Sequence, residues 1–281
     1  MKFINVWHFL IVSSILVNLG FGPVEGKECL VIRQGQEEVT GEPNSSEWRN
    51  GILVNPFPDA TPESQGVPSA ALARVAELVN GFVDAEEIVG AELLIIKNQR
   101  TVMHKAFGLD APKSDQPIAK NTIFSIRSMT KPLAGAMAQI LIDEGALNLS
   151  DPVSKYLESF DNDRSRSLTV RHLLTHRSGF PMKSAGRLWS DYSSYENIGQ
   201  VADFWGEHGP QLFTPGERYH YADANVDTLG AVMEVAAGEP AERMIERRLF
   251  QALGMIDSMT LLNKGEARLS RVAGKNAGGR G

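Results

Sequence analysis

Apolar positions fall into short blocks whose spacing changes character along the chain. Behind Ser69, a candidate N-cap, Leu72, Val75, Leu78, Val79 and Phe82 recur at helical spacing and predict a first helix. Residues 89–96 and 101–107 are rich in branched side chains and flank the polar stretch 97–100. That pattern predicts a β-hairpin. A two-stranded hairpin is marginal in water by itself, so a covering helix and further strands are expected. From Asp110 to Gly254 the spacing is helical, with segments at 132–145, 170–177, 198–205, 224–237 and 241–253. Gly145, Gly179, Gly238 and Gly254 stand where most of these should stop. Residues 31–68 are rich in Gly, Pro, Ser, Asn and Glu without a sustained period, and read as an extended arm. No internal repeat is visible.

Residues 1–26 have a separate pattern. Lys2 precedes an apolar run through Phe9, Leu10, Ile11, Val12, Ile15, Leu16 and Val17, followed by Val24-Glu25-Gly26. The pattern resembles a secretory signal peptide, and a periplasmic or secreted destination is expected. Asn5, His8, Ser13, Ser14 and Asn18 make the run a poor membrane span, so no stable membrane insertion is expected after cleavage. Glu28 stands before Cys29 where a lipidation site wants a small residue. The expected organisation is a signal segment at 1–26, an arm at 27–68 and a single catalytic-type domain at 69–281.

Composition narrows the function classes. Of the 281 residues, 42% are hydrophobic and 22% charged, which fits a folded globular chain and not a disordered or fibrous one. The formal charge of -6 and the lack of a Lys/Arg run argue against nucleic acid or an anionic membrane as partner. A single cysteine, Cys29, excludes an internal disulfide framework and a multi-cysteine metal site.

The chemically informative stretch runs from Phe124 to Pro132. Pro132 lacks an amide hydrogen and so fits a helix in its first turn, which puts Ser128 at the helix start with Lys131 three residues on. A serine there has its hydroxyl near unpaired backbone N–H groups and the positive end of the helix dipole, which favour a developing anion. A lysine one turn away can take the hydroxyl proton if its surroundings lower its pKa. Thr122-Ile123-Phe124 before the pair and the apolar helix after it suggest that both side chains face the protein and not water.

With its neighbours, this motif resembles the serine β-lactamase and penicillin-binding family, in its class C and esterase-like branch. The resemblance rests on five segments in the family's order between about Pro62 and Gly281. They are Phe124–Pro132, LIDEGALNLSDPV from Leu141, VRHLLTHRSG from Val170, Pro215-Gly216-Glu217 with YADANVDTLG from Tyr221, and Leu253-Gly254-Met255. It implies a mixed α and β, β-lactamase/transpeptidase-like fold: an antiparallel sheet flanked by helices, plus a helical region. It also implies that Ser128 is the acylated nucleophile, Lys131 its proton partner, and Tyr221 a proton relay to the leaving group. Asp223 stands where the family's Tyr-x-Asn motif has asparagine. A carboxylate accepts hydrogen bonds but donates none when ionised, so Asp223 is expected to hold the Lys131 ammonium while losing a contact to a substrate amide.

Other signals are set aside. Glu144 with Leu147 and Asn148 mimics a deacylating-base motif, but it lies at the far end of the helix that Ser128 opens and reads as that helix's stop. His172 and His176 are four apart, as metal ligands can be, yet no Glu follows His172 and no third ligand is evident. No cofactor or metal is implied. Arg127 and Arg187 are cations that a substrate carboxylate could meet, although surface arginines are commonly just solvated. The family's third motif, Lys-Thr-Gly or His-x-Gly, is not found. Family chains continue with further sheet strands and a closing helix, so the chain reads as C-terminally truncated, with an uncovered apolar face and a tendency to aggregate. The expected function is a secreted serine hydrolase acting through an acyl-enzyme on small esters, D-amino-acid peptides or β-lactams. The alternative is a non-catalytic member that binds a ligand or partner.

Overall fold

A computed structural model describes residues 48–49, 52–53, 57–182, 195–260 and 266–274. Residues 1–26, Cys29, most of the arm and Arg187 lie outside the described residues. The chain divides into two compact units, one of residues 1–125 with 263–281, the other of residues 126–262.

In the first unit the strands β1 (Trp48–Arg49) and β2 (Ile52–Leu53) form a minimal antiparallel pair. Helix α1 (Ser69–Asp84) follows, then β3 (Gly90–Lys97) and β4 (Arg100–Gly108), an antiparallel hairpin. Ser69 is the first helical residue and not the cap. Pro68 stands in the cap position, and the Ser69 N–H donates to the Glu63 carboxylate at 2.8 Å. The hairpin turns on Asn98 and Gln99, both left-handed at φ 51° and 57°. Two consecutive positive φ values give the tight turn whose twist suits paired strands. Ile95 pairs with Met103 and Ile96 with Thr101, so Val102 is an extra residue in β4. That bulge lets both Val102 and Met103 be buried, with Leu93 of β3 and Leu72 and Ala76 of α1. The expected covering helix is therefore α1. The last part of the arm also pairs with the hairpin, since the Thr101 N–H donates to the Pro58 carbonyl and the Ala60 N–H to the Thr101 carbonyl.

The second unit is helical. A 3-10 turn at Arg127–Met129 runs into α2 (Thr130–Asp143). Then come α3 (Val170–Leu174), α4 (Ile198–His208), α5 (Asp223–Ala237) and α6 (Ala241–Ile245). Helix α5 is central, with Ala224, Asn225, Thr228, Leu229, Gly230, Ala231, Val232 and Met233 all buried. It meets Met137, Ala138 and Leu141 of α2, Leu173 of α3, and Val201, Ala202 and Trp205 of α4 in one core with Phe160 and Phe180. Helix stops fall on glycine as expected, with Gly145 at φ 75° after α2 and Gly238 at φ 68° after α5. Two helices are shorter than their pattern. The chain expected to be helical over 170–177 leaves the helix after Leu174, because His176 is left-handed at φ 53°. The segment 241–253 is α-helical only to Ile245 and continues as a wider π-turn over Glu246–Gln251. No helix among the described residues is long and apolar enough to cross a membrane.

Candidate active site

Ser128 lies in the 3-10 turn that delivers the chain into α2. Arg127 before it is left-handed at φ 49°, a conformation that costs a non-glycine residue about 1–2 kcal/mol. Pro132 is the third residue of α2, where its missing N–H leaves no helical bond unmade. No described side chain caps this helix start; the 3-10 turn does so through the backbone, the Met129 N–H donating to the Ile126 carbonyl at 3.0 Å and the Thr130 N–H to the Arg127 carbonyl, and the positive end of the helix dipole lies beside Ser128. Ser128 and the Arg127 side chain are exposed. This corrects the expectation that the serine faces the protein: the turn projects Ser128 beyond the buried face of α2, which begins at Ala134.

Lys131 supplies the link to Ser128. Its Nζ donates to Ser128 Oγ at 3.2 Å and to Asp223 Oδ1 at 2.6 Å, and it sits 4.9 Å from the centre of the Tyr221 ring. The Lys131 side chain is 16% exposed and that of Asp223 44%. Burial by itself would lower the Lys131 pKa. Hydrogen bonds to Asp223 and Tyr221, with their charges, outweigh it and hold the ammonium above its ordinary 10.5. Ser128, Lys131, Tyr221 and Asp223 are therefore brought together within the helical unit. Arg127 makes no ion pair among the described contacts. Glu144 instead pairs with Arg248 at the far end of α2.

Tyr221 and Asp223 are set by the segment 212–222, which runs alongside the turn after α3. The N–H groups of Leu212, Gly216 and His220 donate to the carbonyls of Gly179, Arg177 and His176, each at 2.8 Å. Gly179 is required here. Its φ is 90°, and a Cβ would lie 2.3 Å from the Phe213 carbonyl oxygen. Gly179→Ala is therefore expected to lower stability by about 2–4 kcal/mol, from backbone strain and steric displacement together. Urea unfolding of the two proteins measures it, and a loss below 1 kcal/mol would refute this close approach.

A histidine that is itself in contact with Asn225 lies against Tyr221. His176 stacks on its ring, with centroids 4.7 Å apart and planes at 24°, and the His176 Nδ1 lies 3.2 Å from the Nδ2 of buried Asn225. By spacing alone His176 reads only as a partner of His172. The structure separates the two, since His172 Nδ1 accepts the Thr169 N–H at the start of α3. The available signal was a histidine at the position after a short helix, where a glycine or asparagine is ordinary. Among the described residues no group of three His, Cys, Asp or Glu is arranged to hold a metal.

A family model described as Beta-lactamase matches residues 75–279. Esterase EstB of Burkholderia gladioli is 29% identical over 215 residues, covering 70% of this chain and 53% of the esterase. A putative D-alanyl-D-alanine carboxypeptidase of Escherichia coli O157:H7 is 30% identical over 219 residues, covering 70% of this chain and 49% of that protein. The chain thus spans about half the length of these curated relatives. Among solved structures, EstCE1, described as a hydrolase with promiscuous acyltransferase activity, superposes with a TM-score of 0.61 at 26% identity. That superposition covers 72% of this chain and 55% of EstCE1.

Proposed function

This chain belongs to the beta-lactamase family and has its mixed α and β fold, and from that premise we propose that it is a secreted serine hydrolase working through an acyl-enzyme. The observation that carries the reading is the 3.2 Å contact between Ser128 Oγ and a lysine that is itself bonded to Asp223 and set against Tyr221. Ser128 Oγ attacks a carbonyl carbon, and the positive end of the α2 dipole favours the charge that develops on its oxygen. Lys131 and Tyr221 share the proton work, taking the Oγ proton and returning one to the leaving group. Water then attacks the acyl-serine and releases the acid.

Small esters are the favoured substrates. The relatives named above act, by their names, on esters or on D-alanyl peptides, and in this chain Asp223 distinguishes the two. Its Oδ1 is committed to Lys131, and an ionised carboxylate has no hydrogen to offer the flanking amide carbonyl of a peptide substrate, a group that a small ester lacks. When the acyl C–O bond of an ester breaks, the leaving group departs as an alcohol, which makes less demand on the group that protonates it than the amine of a peptide does.

The test is direct. Incubation with a fluorophosphonate, followed by digestion and mass spectrometry, is expected to find one adduct, on Ser128. An adduct on another serine, or none, would remove Ser128 as nucleophile. The pH dependence adds a second prediction. Because Asp223 and Tyr221 hold Lys131 as an ammonium, labelling should rise with pH through the neutral range. Asp223→Asn removes the carboxylate's hydrogen bond and charge, two of the effects that raise the Lys131 pKa, so that pKa falls. Each unit of that fall raises the free amine at neutral pH about tenfold. The rising limb should therefore move to lower pH; an unmoved profile would mean that Asp223 does not control the Lys131 proton.

A further inference from the structure

His176 takes no part in this scheme, yet it holds Tyr221 from three directions. Its carbonyl accepts the N–H of His220 at 2.8 Å, the residue before the tyrosine. Its Nδ1 accepts the N–H of Ala222 at 3.3 Å, the residue after. Its ring lies on the phenol ring itself. One side chain and its own backbone thus bracket a single residue.

The contacts also assign the ring's proton. The Ala222 N–H can only donate, so Nδ1 presents a lone pair and the neutral ring carries its hydrogen on Nε2. The Asn225 amide agrees, with Nδ2 directed at His176 Nδ1 and also donating to the Ala222 carbonyl at 3.1 Å. Reversing that amide would set Oδ1 against a lone pair and a carbonyl at once. The backbone gives a further sign. Glycine would make the left-handed turn after α3 without strain, whereas His176 at φ 53° bears about 1–2 kcal/mol. The contacts of the imidazole offset that strain.

Resting on the hydrolase reading, we propose that neutral His176 is a positioning residue that fixes the Tyr221 phenol against Lys131 and Ser128. It acts through Tyr221 and takes up no substrate proton. Positioning of this kind is lost when the ring protonates, because a hydrogen on Nδ1 would meet the N–H groups of Ala222 and Asn225. A second cation would also stand near Lys131. The groups around the ring are Lys131 from α2, Tyr219, His220, Tyr221 and Asp223 from the segment entering α5, and Arg177 beside it. Burial first, and then the Lys131 charge, hold His176 below its ordinary 6.5.

The experiment uses this chain with His176→Asn, which keeps an acceptor for Ala222 but loses the ring, and His176→Phe, which keeps a ring but loses the acceptor. NMR of the labelled imidazoles, with His176 assigned by its absence in the variants, needs no activity. It is expected to find the Nε2–H form and a midpoint below 6.5. An Nδ1–H form, or a midpoint at or above 6.5, would overturn the proposal. Fluorophosphonate labelling against pH is the second readout. In wild type the rate should fall more steeply below the His176 midpoint than above it. In His176→Asn the added steepness should vanish and the rate should drop about 10–100-fold. Combining it with Tyr221→Phe should cost no more than Tyr221→Phe does alone. A retained acid limb, or losses that multiply, would refute positioning through Tyr221. If His176→Phe fails to fold, His176→Asn carries the comparison. If wild type takes no label, the hydrolase reading fails while the NMR result still decides the state of His176.

Discussion

Ser128→Ala is expected to take no fluorophosphonate label and to lose ester turnover by about 10⁴-fold or more, as when a covalent nucleophile is removed elsewhere. The substitution tests chemistry and not folding. Ser128 is exposed, and its hydroxyl bonds to the Lys131 ammonium, not to a buried backbone group. Exposed substitutions of this kind change stability within about 0.5 kcal/mol, so the melting transition should coincide with that of wild type. Equal labelling of the variant would move the nucleophile to another residue. A wild-type chain that takes no label would favour the alternative reading, a family member that binds a ligand or partner without turnover.

Lys131→Ala is expected to slow acylation by about 10²–10⁴-fold, the range usual for loss of a positioned proton-transfer group. Lys131→Arg then separates its two possible services. A guanidinium keeps a cation near Ser128 Oγ but does not give up its proton at accessible pH. If Lys131 must act as a base, the arginine variant should be as slow as the alanine one. Recovery of labelling by arginine would instead reduce Lys131 to a fixed charge and leave Tyr221 to move the proton. Asp223 is 44% exposed, and stopped-flow rates on folded Lys131→Ala are attainable because removing a partner of so exposed a carboxylate has a small effect on stability.

Much of the architecture could be read from residue order. The hairpin, its covering helix α1, the helices α2 and α5, and the glycine stops at Gly145 and Gly238 follow from periodicity and from positive φ that only glycine adopts cheaply. So does the Ser128–Lys131 contact, because residues three apart at a helix start share a face whatever the rest of the chain does. Helix ends were harder to read. The segment 241–253 widens into a π-turn after Ile245, and 170–177 breaks at His176, since tertiary contacts and not propensity decide those last turns.

The remainder of the site depends on contacts between residues far apart in sequence. Lys131 and Asp223 are 92 residues apart, and their contact needs α2 and the start of α5 to converge on one core. His172 and His176 look like a pair because helical spacing puts residues four apart on one face. The helix ends between them, and the left-handed backbone at His176 gives that ring a different surrounding. His172 secures the start of α3, while His176 meets a segment 46 residues later. Local spacing determined which side chains could share a helix turn; only the packing of α2, α3 and α5 decided which of them surround Ser128.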